Sequence, residues 1–356
     1  MSILFRYITR EVLMSSLLAL LALSGLFSFF DFISELSDAH SATYTPLIAS
    51  LFVAMNLPGR IYELMPLAVL IGGLFAWNRF SLSSEFSVMR TAGLPTSRLV
   101  GWMLALGLLI GSVVLLFGEY VTPVTERAAQ QLKIRATSGI VAQDFPSGLW
   151  AKDGRTFINI RELRADASLV DVHLYEFDDD FNLKLMRRAE SAEWQDGRWM
   201  LRQVSQTVIE ELGTRTANEP DYAWKSAVTP DLLSVLMVVP ERMAISALYV
   251  YINHLDENLQ DSRRYSIALW VKLAYPMAAP VMLVLALVFA FHPPRHGGTG
   301  GRLLVGILIG LGFHLSTRLV GQIALLQNWP TITPAIVPLL VFGLAAFVAL
   351  WWVERS

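Results

Sequence analysis

Apolar residues fall in long uncharged runs near both ends of the chain, and a polar block fills the middle. A bilayer core takes about 20 apolar residues per helix. Val12 to Phe30 is one such run, Leu64 to Trp77 a second and Leu99 to Gly118 a third. Leu273 to Phe291, Leu303 to Leu326 and Ala335 to Val353 follow the polar block, and only Arg318 interrupts them. The pattern predicts six transmembrane helices. Leu47 to Leu57 is short and ends at Pro58-Gly59, so it reads as an interfacial or re-entrant lead-in to the second span. The polar block alternates with period two over Val170 to Phe177 and Arg155 to Glu162, as half-buried strands do. Asp153-Gly154 and Asp196-Gly197 are suited to type I′ hairpin turns. Many short strands predict a sandwich, barrel or jelly roll. Glu126 to Ala136 reads as a helix above the third span. Ser246 to Leu259 returns to helical spacing and leads into the fourth span.

The expected division is residues 1–136 for three helices with a short loop helix at 84–94, then 137–241 for the sheet domain. Residues 242–356 then hold a connecting helix and three more spans. Charge supports it. Of the 58 Asp, Glu, Lys and Arg residues, 39 lie between Val121 and Arg264. Charged residues are 16% of the whole, against about a quarter in soluble domains. A disordered chain is excluded and a cytosolic enzyme disfavoured. Arg6, Arg10, Arg79, Arg90, Arg98, Arg295, Arg302 and Arg355 fall on one side of the six spans, and Arg60 alone in the short loops of the other. The positive-inside bias places both termini in the cytoplasm and the sheet domain outside. The first run lacks a small-residue cleavage site and reads as an anchor that stays.

Candidate catalytic chemistry is sparse. A net charge of −2 gives nucleic acid no electrostatic support. Cysteine is absent, so there is no disulfide, thiol nucleophile or Cys-ligated zinc. No Gly-Lys pair exists, so Gly297 to Gly301 is a turn and not a P-loop phosphate cradle. His292 and His296 flank Pro293-Pro294 with no third ligand near, so no metal site is expected. Neither His-Glu-x-x-His nor Gly-x-Ser-x-Gly occurs.

The loop after the second span reads Ser84-Glu85-Phe86-Ser87-Val88-Met89-Arg90-Thr91-Ala92-Gly93-Leu94-Pro95. It favours a short helix stopped by Gly93 and Pro95. Phe86, Met89 and Arg90 share a face, with Glu85 beside it. Two readings stand: a connecting loop, or a helix that docks in a partner's groove. The pattern Ser84-Glu85-x-x-x-Met89-x-x-x-Gly93 resembles the coupling helix of the LptF/LptG family, the permease subunits of the lipopolysaccharide export ABC transporter. The order of spans and sheet domain is similar over nearly the whole chain. Leu149-Trp150-Ala151-Lys152-Asp153-Gly154 resembles the LptG type more than the LptF type, as do Arg264-Tyr265, Trp270, Lys272 and Pro276.

The resemblance implies a heterodimer of LptF with LptG, driven by two copies of the ATPase LptB. It implies no cofactor on this chain, with ATP and Mg at that ATPase. Lipopolysaccharide would pass from the outer leaflet of the inner membrane through the jelly-roll domains. LptC would add a membrane helix and continue the bridge to LptA. Coupling to the ATPase falls on Glu85, Phe86, Met89, Arg90 and Gly93. A membrane-anchored assembly or sensor protein that moves nothing is the rival reading.

Substrate contact is expected at the outer boundary. Arg318 lies about 22 Å along the fifth span at 1.5 Å per residue. A charge there either snorkels to the interface or faces a cavity, where its fork suits a lipid phosphate. His314 is one turn below it. Lys133 and Arg135 follow the third span, where the family carries basic residues. Arg60 starts the second. Family members can also carry basic residues at the outer end of the first span. This chain has Asp31, Glu35 and Asp38 there, which repel phosphate unless a divalent cation bridges them.

Overall fold

The computed structural model describes residues 3–38, 44–136, 148–164, 168–210, 213–230, 232–233, 239–291 and 299–355. Five helices come first: α1 (Ile3–Asp38), α2 (Pro46–Leu82), α3 (Glu85–Thr91), α4 (Thr96–Tyr120) and α5 (Thr122–Ala136). Six strands follow: β1 (Leu149–Asp153), β2 (Thr156–Leu163), β3 (Leu169–Phe177), β4 (Leu183–Gln195), β5 (Arg198–Glu210) and β6 (Gly213–Trp224). The chain then forms α6 (Ile245–Glu257), α7 (Arg263–Ala274), α8 (Ala278–Val288), α9 (Thr299–Leu326) and α10 (Thr333–Arg355). Six stretches among the described residues are long and apolar enough to cross a membrane. They match the six runs in the sequence, with α7, a short 3-10 turn and α8 forming the fourth. His292, His296, Gly297 and Gly298 lie outside the described residues, and Thr299, Gly300 and Gly301, expected as part of a turn, are the first residues of α9.

One expectation is corrected. Leu47–Leu57 is neither re-entrant nor separate, because α2 runs unbroken through Pro58 and Gly59 for 37 residues. Proline costs one hydrogen bond, and the tertiary packing of α2 carries the helix past it. At 1.5 Å per residue α2 is about 55 Å long against a hydrocarbon core of about 30 Å.

Small residues let the membrane helices approach closely. A Cβ on Gly72 of α2 would collide with the backbone of Ser16 on α1, and one on Gly107 or Gly111 of α4 with Pro280 or Pro276. Gly306 and Gly310 of α9 face Leu74 and Leu67 of α2, so this Gly-x-x-x-Gly packs within the chain. The shared core includes Ile8, Val12, Trp77, Phe80, Leu99, Met103, Met282 and Leu283.

The inserted domain is built from one continuous antiparallel sheet in the order β1 to β6. Asp196 and Gly197 both have positive φ between β4 and β5, as a type I′ turn requires. The other expected turn shifts by one residue. Asp153 pairs with Thr156 as the last residue of β1, and only Gly154 takes positive φ. Asp153 instead accepts hydrogen bonds from Ser226 Oγ and the Ala227 amide.

Burial along the strands changes parity. Ile160, Val172, Ala189 and Val204 form one buried cross-strand row, and Leu163, Leu169, Ala192 and Leu201 another, three residues away on each strand. Strict alternation would put these rows on opposite faces. Between them the ladder lacks its pairs at Asp171 and Gln203, both with left-handed φ. The sheet therefore folds over along this line and closes two arms on one core. Arg187 confirms the fold. Its register partners lead to Ala217 on β6, five residues or about 16 Å from Tyr222 in a flat sheet. Its guanidinium nevertheless lies 4.4 Å from the Tyr222 ring centre.

Candidate coupling and lipid-contact sites

Two charged regions lie along α2, one at its C-terminal end and one around Arg60 and Glu63, well inside the helix. At its C-terminal end Ser84, with φ of 61°, turns the chain into α3. Gly93 ends the helix with φ of 85°, its amide bonding to Arg90 O while the Leu94 amide bonds to Met89 O. That pair of bonds is a Schellman close, which needs a residue free to adopt positive φ. Glu85 at the first turn accepts from Tyr7 Oη at 3.0 Å and from Ser83 Oγ at 2.9 Å. Both contacts fix its carboxylate, no cation among the described residues pairs with it, and its side chain stays partly open.

The face expected to meet a partner is partly corrected. Phe86 and Met89 are buried in this chain's own core. Phe86 packs edge-on against Phe291 at 4.9 Å and Trp77 at 6.0 Å. Arg90 lies over Phe291 and donates to Thr96 Oγ1. These residues seat α3 on the helix bundle. Spacing alone marks an apolar stripe but not which body it meets. The face left outward carries Ser87, Val88 and Thr91, with Glu85 at its margin.

Around Arg60, roughly 33 Å back along α2 from that end, charges from four elements interlock. Arg60 grips Asp31 of α1 with two nitrogens at 2.6 and 2.7 Å and reaches Glu63 at 3.1 Å. Arg242 bonds Glu63 at 3.0 Å and Glu126 of α5 at 3.0 and 3.1 Å. Burial pulls the Arg242 guanidinium down, but Glu63 and Glu126 outweigh it and raise its pKa above the usual value. Lys133 of α5 pairs with Glu35 of α1 at 2.7 Å, and Tyr44 Oη donates to the same carboxylate at 2.8 Å.

The acidic residues at the outer end of α1 thus do not stand bare. Asp31 and Glu35 are ligands of two of the predicted phosphate-binding cations. His314 lies within electrostatic range of Arg318, Arg60 and Glu63. The packing of Gly306 on Leu74 and Gly310 on Leu67 sets α9 antiparallel to α2, so Arg318 comes level with Arg60. Arg318 is exposed and forms no ion pair with a described residue. Arg135 lies in α5, and its side chain is outside the described set.

Sequence reasoning missed Glu63, Arg242, Glu126 and Glu119. Only the Arg60–Glu63 spacing of three on one helix offered a local signal. A second buried junction joins Lys272 to Glu119 at 3.2 Å, Gly118 O at 3.0 Å and Met243 O at 2.5 Å. Glu119 also accepts from the Ile245 amide at the start of α6. The two segments that carried the LptG resemblance lie at such joints. Lys152 and Gly154 dock β1 on Asn258, at the end of α6, and Tyr265 packs on Tyr251.

The sequence model of the lipopolysaccharide export system permease LptF/LptG family matches residues 6–352. The chain is 30% identical to the lipopolysaccharide export system permease protein LptG of Haemophilus influenzae over 98% of its own length and 96% of that protein. It is 28% identical to the LptG of Escherichia coli K12 over 99% of its length and 98% of that protein. A match this complete, on six spans and an inserted sheet domain, shows that the chain belongs to the LptF/LptG family of lipopolysaccharide export permeases.

Proposed function

We propose that this chain is the LptG-type half of the permease and works without a catalytic site of its own. Its termini lie in the cytoplasm and its sheet domain in the periplasm. Residues 1–136, 137–241 and 242–356 form its first helical part, sheet domain and second helical part. The outward side of α3, with Glu85 at its margin, meets the ATPase LptB, where ATP and Mg are bound. LptF completes the cavity, and LptC adds its helix and continues the bridge. Lipopolysaccharide enters from the outer leaflet of the inner membrane, and its phosphates meet Arg318, Arg60 and Lys133, with Arg135 and His314 beside them.

The observation that supports this reading is the polarity of α2. One end carries a short helix fixed to the core with a carboxylate at its edge. Around Arg60, roughly 33 Å back along the helix and so about one hydrocarbon thickness away, lies a cluster of cations. A carboxylate at a helix start suits a cation on a partner.

The test is ATP hydrolysis by the purified complex in lipid nanodiscs, with and without lipopolysaccharide. Glu85→Ala should assemble with the ATPase and lose most of the lipopolysaccharide-dependent activity. Normal hydrolysis and export by that variant would remove Glu85 from the coupling path. A chain that retains no ATPase would sink the transporter reading.

A further inference from the structure

We propose that Asp31 and Glu35 are internal ligands that hold Arg60 and Lys133 when no lipid is bound. An arriving lipid phosphate takes over the two cations and frees the outer end of α1. This rests on the reading that the cluster receives lipid phosphate, and it adds how that site is controlled.

The argument begins with spacing. Asp31 and Glu35 are four apart on α1, so they project from one face with Cβ atoms about 6 Å apart. They gather Arg60 from α2 and Lys133 from α5 within one turn of helix. The Arg60 grip on Asp31 is a two-nitrogen fork. A phosphate monoester offers the same pair of oxygens to that fork, with more charge. Ligand and carboxylate therefore compete for one set of donors.

Exposure separates the Arg60–Asp31 pair from the fixed ones and leaves the cation of the second pair open. The Arg60 and Asp31 side chains are 27% and 30% exposed; Lys133 is 36% exposed and its partner Glu35 11%. Arg242 and Glu126 are 13% and 5% exposed and belong to the frame. Exchange at Asp31 strands no buried charge, because Asp31 is partly open to solvent and Arg60 keeps Glu63. Glu35 is buried, and when Lys133 leaves it the Tyr44 hydroxyl stays as its donor. Outside these contacts α1 turns Phe29, Phe30 and Ile33 outward. Two ion pairs therefore fasten a helix end that is weakly enclosed.

The idea predicts a gain where a structural role predicts a loss. Asp31→Asn and Glu35→Gln remove competitors, so phosphorylated lipid A should bind the intact nanodisc complex about two- to fivefold tighter, the competition a partly exposed ion pair offers. Arg60→Gln and Lys133→Gln should bind it more weakly. Lipid A stripped of phosphate should not distinguish the carboxylate variants from wild type. Equal or weaker binding by Asp31→Asn in an assembled complex overturns the exchange. Unchanged binding by both cation variants overturns the phosphate site itself. The chain has no cysteine, so Ser37→Cys and Ser50→Cys give a clean spin-label pair between α1 and α2 in an otherwise wild-type protein. Phosphorylated lipid A should broaden their distance distribution, and an unmoved distribution counts against exchange whether or not the carboxylate variants fold. Inorganic phosphate that reproduces the broadening would support exchange and assign it to the headgroup alone.

Discussion

Lys272 makes the sharpest case at the scale of single residues. Its side chain is 2% exposed inside the fourth span, and its ammonium is shared between the Glu119 carboxylate and two backbone carbonyls. Removing one partner of a buried pair strands the other and costs about 3–5 kcal/mol, whereas replacing both is far milder. Lys272→Met should therefore lower the melting temperature of the detergent-purified complex, and Lys272→Met with Glu119→Gln should recover most of the loss. A double variant no better than the single one would show that the pair is not the cause. Gly111 tests close approach in the same way. A methyl there meets the Pro276 carbonyl, so Gly111→Ala should cost about 1–3 kcal/mol. Gly101 on the same helix faces open space, so Gly101→Ala should be neutral or stabilising by up to about 1 kcal/mol. Equal thermal shifts for the two would refute the packing argument.

At the scale of elements, the start of α7 depends on Asp261. Its carboxylate accepts from the Arg263 amide and guanidinium, and these hydrogen bonds hold its pKa down to about 2. A carboxyl lowered in the fold stabilises it above the unfolded value of about 3.9, and that contribution fades as pH falls toward 2. Hydrogen exchange in the first turn of α7 should accelerate between about pH 4 and pH 2 beyond the intrinsic trend. Asp261→Asn should lack that step, and a step that survives in the variant would assign it to another group. Elements were also the scale at which the sequence was most informative. Apolar runs located all six spans, because length and lack of charge are all that a bilayer demands. Period two found β2 and β3. The face change at Asp171 and Gln203 was not legible, because Gln carries no signal for left-handed φ and Asp171 stands inside an alternating run with no glycine beside it to mark a turn.

For the whole molecule, what could be read depended on how local the signal was. Glu85 and Gly93 were found because a helix start and stop are written in neighbouring residues. Phe86 and Met89 were placed on one face correctly, but the body that covers them comes from α2 and the chain after α8. Arg60 and Lys133 were named from the sequence as cations near the ends of spans, and the fold brings them into one cluster. Their partners were not, because Asp31 and Glu35 lie 29 and 98 positions away and are joined to them only by the fold. A long-range ion pair has no spacing rule, and each of these charges alone reads as a solvated end of a span.

The unbroken length of α2 has a mechanical consequence. A continuous helix resists twisting, because its turns are tied to one another by hydrogen bonds, and Pro66 removes one of these between Arg60 and α3. Rotation imposed where α3 joins it must reappear at Arg60 with nearly the same angle. At a side-chain radius of about 6 Å, a rotation of roughly 20° is an arc of about 2 Å. Hydrogen bonds fail well within that distance. On the proposed coupling through α3, a rotation of that size would part Arg60 from Asp31, so that α2 would act as a shaft whose angular position is read out as the grip on α1.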